Sequence, residues 1–123
     1  MRAQLKSLHS PDVADLAGWA PGKAVFSLSL QAMIGPSHEE SAESFDILVC
    51  SPAWLAREMS GISILSGTHK LIMNRYDYRV LRGYLERRVA AVEAPTWPEL
   101  ARQLGSLGRW EFDGYSPFVH SGS

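Results

Sequence analysis

Cysteine is nearly absent: Cys50 is the single one in 123 residues. An internal disulfide is therefore excluded, and with it the stapled scaffolds of small secreted proteins. Cys50 ends an apolar segment, Ile47-Leu48-Val49-Cys50, in which a thiol behaves as a small hydrophobe, so a reducing compartment is expected. Long apolar runs are missing as well. None approaches the roughly 20 residues that cross a bilayer, and Met1 to Ser10 has no continuous apolar core for a secretory signal. The expected location is the cytoplasm, with no membrane partner. Charge of one sign is also lacking, since 12 Lys and Arg stand against 13 Asp and Glu, a formal net charge of -1. A dedicated nucleic-acid binder carries a pronounced basic excess, so on overall charge nucleic acid is not the expected partner.

Repeats, low-complexity tracts and dividing linkers are absent too, which leaves one domain over residues 1–115 and a frayed tail over 116–123. What is present is the composition of an ordinary globular domain, 46% hydrophobic and 20% charged. A chain of this size buries roughly two-thirds of its unfolded surface.

Alternation predicts a short edge strand over Ala3–Leu8, ended by Ser10-Pro11-Asp12, because proline removes a ladder donor. The clearest strand runs from Ala24 to Ile34. Phe26, Leu28, Leu30, Ala32 and Ile34 share one face, and Ser27, Ser29 and Gln31 share the other, so one face is core and the other wet or thinly covered. Gly35-Pro36 is expected to break this strand before an acidic loop, and Ser44–Cys50 then returns as the second arm of an antiparallel hairpin.

Ser51-Pro52 starts a helix to about Met59, the serine capping and the proline filling the first helical position. A strand is expected over His69–Arg75. From Asp77 the apolar period becomes helical, with Leu81, Tyr84, Leu85, Arg88, Val89 and Val92 on one side. Thr96-Trp97-Pro98-Glu99 has the spacing of a capping box for a third helix with an apolar stripe through Leu104, and Arg109–Phe112 reads as a last strand.

Chemistry-bearing patterns are weak. His9, His38, His69 and His120 lie far apart, none at ligand spacing from another metal-binding side chain, so no metal site is expected. Neither a Gly-x-Ser-x-Gly elbow nor a local cysteine signature supplies a nucleophile, and Ser51 and Cys50 read as cap and core. Gly105-Ser106-Leu107-Gly108 ends a helix and lacks the lysine of a phosphate loop. The adjacent acids Glu39 with Glu40, and Glu111 with Asp113, read as solvated loop carboxylates. No enzyme, cofactor or small-molecule substrate is expected.

Three tryptophans, Trp54, Trp97 and Trp110, occupy apolar positions and read as core anchors. Trp19, in a weakly patterned segment, is the one placed to reach the surface, where it would mark an interface. Arg79, Arg82, Arg87 and Arg88 could track a phosphate backbone, but Glu86 stands four residues after Arg82, which favours a solvated, internally paired helix face. The most suggestive binding feature is the acidic loop: Glu39, Glu40 and Glu43, extended by Asp46, suit a cationic partner.

An ordered set of short motifs covers nearly the whole chain. It comprises Leu5-Lys6-Ser7-Leu8-His9-Ser10-Pro11-Asp12, Leu30-Gln31-Ala32-Met33-Ile34-Gly35, Glu43-Ser44-Phe45-Asp46 and Val49-Cys50-Ser51-Pro52-Ala53-Trp54-Leu55. Leu71-Ile72, Tyr76-Asp77, Trp97-Pro98-Glu99-Leu100-Ala101 and Gly108-Arg109-Trp110-Glu111-Phe112 complete it. In these the chain resembles the immunity protein 8 family of bacterial polymorphic toxin and contact-dependent inhibition systems. The resemblance implies an α+β fold, with antiparallel strands packed against two or three helices, similar to that of Whirly single-stranded DNA-binding proteins. It also implies a cytoplasmic, non-catalytic antidote whose partner is the C-terminal domain of a cognate toxin. No contact residue carries over from the motifs. Glu39, Glu40, Glu43 and Asp46 are the toxin-binding candidates, facing a basic, nuclease-like partner. The alternative is a Whirly-like single-stranded nucleic-acid-binding module that uses the four arginines, although likeness of fold does not carry activity.

Overall fold

A computed structural model describes residues 1–113. The expected tail at 116–123 and His120 lie outside the described residues.

Three alternating segments pair in chain order as an antiparallel meander: β1 (Ala3–His9), β2 (Ser27–Pro36) and β3 (Glu43–Cys50). Leu30 stands opposite Ile47 and Ala32 opposite Phe45, so the apolar halves of the two long strands fall on one face. A register shift between Leu5 and Ser7 brings Leu8 opposite Ala32, on that same face. Without it the polar Ser7 would meet the core.

Strand β2 runs two residues past the expected break. Its pairing with β3 ends at Ile34–Glu43, whereas β1 continues to Pro36, and the Ser37 amide donates to the Arg2 carbonyl. The nitrogen of Pro36 therefore points to the side where the ladder has already stopped, and its missing N–H costs nothing. At the other end β2 begins at Ser27, not Ala24, because the Phe26 amide is taken by the Ser51 hydroxyl.

Two short strands share the free edge of β3. β5 (Arg109–Trp110) pairs antiparallel at Phe45–Asp46, and β4 (Lys70–Ile72) pairs at Leu48–Cys50. Strand β4 runs parallel to β3, a departure from the all-antiparallel expectation, so the five-stranded sheet is mixed. The cause is the connection: α1 (Pro52–Glu58) and the segment to His69 form a crossover, and a crossover of a dozen or more residues is what parallel neighbours require. Both short strands are trimmed relative to their apolar patterns. The chain leaves β4 at Met73, whose amide still donates to Cys50, and turns at Glu111–Asp113 after β5.

The core is one layer of sheet against α2 (Tyr78–Ala90) and α3 (Trp97–Leu104). Leu81, Leu85 and Val89, four residues apart, and Leu100, Ala101 and Leu104 are buried against Leu28, Leu30, Ile34, Phe45 and Val49. Each fully buried side chain of this size is worth about 1.5–3 kcal/mol against exposure. The α+β class is as expected.

The tryptophans correct the sequence reading. Helix α1 has no buried residue, so Trp54 is half-buried at the margin instead of anchoring the core. Trp19, read as the one placed to reach the surface, is half-buried like Trp97 and Trp110 and packs edge-on against Phe26 and Tyr76, its ring centroid 4.7 Å from that of Tyr76. No helix among the described residues is long and apolar enough to cross a membrane.

Candidate functional site

Both long helices pack on one side of the sheet, which leaves the other side open. Ser29 faces Leu48, Gln31 faces Asp46, and on the far edge Leu48 faces Lys70 and Asp46 faces Arg109. Paired residues project to the same side, so all six side chains belong to the open face, and they line a groove of about 440 Å³. His9, opposite Gln31, extends the face onto β1, where its Nε2 lies 2.9 Å from the Ser7 hydroxyl. The groove sets polar side chains and both signs of charge around an apolar floor that includes Leu48 and Ile47.

Four acidic residues mark the sequence-derived site, and the fold separates them. Glu39 and Glu40 are exposed in the β2–β3 turn, where the Ser41 hydroxyl donates to Glu39 at 3.0 Å and His38 lies 3.4 Å from it. The Lys6 ammonium donates to the Glu39 carbonyl and so ties this turn to β1. Asp46 is exposed on the open face, between Gln31 and Arg109. Glu43 is half-buried and engaged: its Oε1 accepts the indole N–H of Trp97 and that of Trp110, each at 2.8 Å. Glu111 complements this by accepting the Ser44 amide at 2.8 Å. The structuring role of Glu43 has no local signal in the sequence, because its donors come from α3 and β5.

Rim residues close the groove. His69 has a left-handed backbone, φ 58°, and its Nε2 donates to the Gly105 carbonyl at 2.7 Å, which fastens the crossover to the end of α3. The Lys70 ammonium donates to the Ser66 carbonyl at 2.7 Å, and Arg109 has no side-chain partner among the described residues.

The four arginines of α2 do not act alike. Arg82 donates to the Tyr78 hydroxyl and pairs with Glu86 at 3.8 Å, as its spacing predicts. Arg88 donates to the Tyr84 hydroxyl at 2.7 Å and lies over that ring, 5.7 Å from its centroid. Arg79 and Arg87 have no side-chain partner among the described residues.

Groups with chemical potential are occupied structurally. Ser51 is fully buried; its hydroxyl accepts the Trp54 amide as cap of α1 and the Phe26 amide as well. Burial pushes the Cys50 thiol up from its ordinary value, with Lys70 opposing, so the thiolate is disfavoured. Tyr76 is pushed up to about 12, first by burial and then by Tyr78, Asp15 and Asp77; its hydroxyl donates to the Leu16 carbonyl at 2.7 Å. Among the described residues no three His, Cys, Asp or Glu side chains group as a metal site would require.

A two-layer α+β domain with α2 and α3 on one side and an open strand surface of mixed polarity on the other defines a class that presents a face, not an enclosed cleft. Within that class the chain is placed by comparison: the model of the family described as Immunity protein 8 matches residues 3–115. The chain belongs to the Immunity protein 8 family and has an immunity function. No curated protein and no solved structure matches it significantly.

Proposed function

We propose that the chain neutralises a cognate bacterial toxin domain by binding and occluding it, without catalysis, in the cytoplasm of the producing cell. Membership of the immunity family over residues 3–115 is the observation that carries this reading. The open face supports it chemically: Ser29, Gln31, Asp46, Lys70 and Arg109 offer donors, acceptors and both charges across neighbouring strands, the means by which an interface selects its partner. Glu39, Glu40 and Asp46 are the proposed contacts to a cationic toxin surface. Glu43 contributes by positioning, since its carboxylate holds the base of the turn against Trp97 and Trp110.

The test is co-expression with the toxic C-terminal domain of the protein encoded immediately upstream. The chain should restore growth and co-purify with that domain. Glu39→Lys, Glu40→Lys and Asp46→Lys combined should weaken the complex by about tenfold or more, each tenfold corresponding to ~1.4 kcal/mol, with thermal stability unchanged. Unchanged affinity would remove the acidic residues from the interface, and failure to bind or rescue at all would reject neutralisation.

A further inference from the structure

We propose that the outer edge of β4 and the adjoining face of α2 form a second docking groove, which takes an extended, carboxylate-flanked apolar segment of the toxin. The proposal rests on the neutralisation reading above and adds to it a contact surface opposite in chemistry to the acidic turn.

Strand β4 ends the sheet order and has no neighbour on its outer side among the described residues. The Leu48 amide donates to the His69 carbonyl and the Met73 amide donates to the Cys50 carbonyl, so residues 69, 71 and 73 use the β3 side. By the parity of a parallel ladder, the Ile72 main-chain groups turn outward, ready to pair with an incoming strand. Main-chain pairing of this kind supplies affinity, and flanking pockets for alternate side chains supply selectivity.

The pocket is present beside the edge. A groove of about 540 Å³ lies between Leu71, Ile72 and Met73 of the strand segment and Val80, Leu81 and Tyr84 of α2. Leu71 and Met73 rest on the core, whereas Ile72 is 53% and Val80 59% exposed. Two exposed branched hydrophobics converging on one apolar groove beside a free edge are the feature that singles out a contact site from scattered surface leucines.

Charge decides the occupant. The one carboxylate lining the groove, that of Asp77, is engaged as cap of α2 by the amides of Arg79 and Val80. Arg75, which lines the groove, has no side-chain partner among the described residues. An apolar floor beside an unpaired guanidinium selects an apolar strand flanked by a carboxylate.

The probe is the same upstream-encoded toxin domain, titrated against the full chain by calorimetry. Ile72→Lys and Val80→Glu should each weaken binding by at least tenfold, and Arg75→Glu by about fivefold or more, with melting temperatures unchanged. Independently of any variant, the Ile72 amide of the wild-type chain should exchange its hydrogen more slowly in the complex. Affinity that survives all three substitutions at the wild-type level, with no added protection at Ile72, overturns the groove and leaves neutralisation standing. Absence of wild-type binding overturns both. Concentration-dependent dimerisation of the isolated chain that Ile72→Lys abolishes would assign the edge to a second copy and overturn the proposal.

Discussion

Glu43 shows how much one side chain can organise. A single carboxylate oxygen accepts two indole N–H groups, from residues 54 and 67 positions away, and so joins the start of β3 to α3 and β5. Hydrogen bonds to a charged acceptor are worth about 1.5–3 kcal/mol each, and the half-buried setting puts this pair at the low end. Glu43→Ala should therefore cost about 2–4 kcal/mol in urea unfolding, because both indoles lose their acceptor. Glu43→Gln keeps the acceptor oxygen and should cost less than half as much; equal losses for the two variants would show that the contact is packing alone. The residues were legible in the sequence, but their association was not. Trp97 and Trp110 sit at apolar positions and read as core anchors, and nothing local in Glu43-Ser44-Phe45-Asp46 separates a half-buried, engaged acid from the exposed ones at Glu39, Glu40 and Asp46.

At the scale of elements, local chemistry was legible and long-range chemistry was not. The caps at Ser51, Asp77 and Thr96 are one-turn signals, and each accepts the backbone amides its position predicts. The direction of β4 is set by where the crossover delivers the chain, which no period in Leu71-Ile72-Met73 encodes. Segment 10–23 had no periodicity to read, because it is held by side chains: the Tyr76 hydroxyl donates to the Leu16 carbonyl, and Trp19 packs on Tyr76 and Phe26. Titration should expose this strap. Below pH 10 Tyr76 keeps its proton whether the chain is folded or unfolded, and from its ordinary 10.0 to about 12 the folded chain alone keeps it. Its contribution to stability is thus full below pH 10 and is lost as pH rises through that window. Tyr76→Phe should lower stability at neutral pH by about 1 kcal/mol, since the Leu16 carbonyl loses its donor, and should flatten the fall above pH 10. Denaturant midpoints measured from pH 7 to 12 check both effects, and an alkaline slope identical in the two proteins would locate the titration elsewhere.

Across the whole molecule, burial is one-sided. The meander and the two long helices close a single core, while the crossover that joins β3 to β4 contributes almost nothing to it: α1 has no buried residue, Ile62 is 49% exposed and Ile64 86% exposed. Stability within a fold follows the apolar area that each cooperative unit buries, so opening the crossover should cost several kcal/mol less than global unfolding. Native-state hydrogen exchange reads this directly. The amides of Leu55 and Met59, bonded only within α1 to Ser51 and Leu55, should exchange through local opening that is insensitive to low denaturant. Those of Leu30 and Ile47, paired in the centre of the sheet, should exchange only through global unfolding. Equal protection at the two places would mean that α1 is coupled to the core by more than its side chains bury. A crossover that opens cheaply has a functional consequence, because it carries the chain into β4: the strand edge can adjust to an incoming segment without disturbing the meander that holds Asp46 and the β2–β3 turn in place. Binding should then raise protection in α1 and β4 far more than in β2, even where the bound segment touches β4 alone.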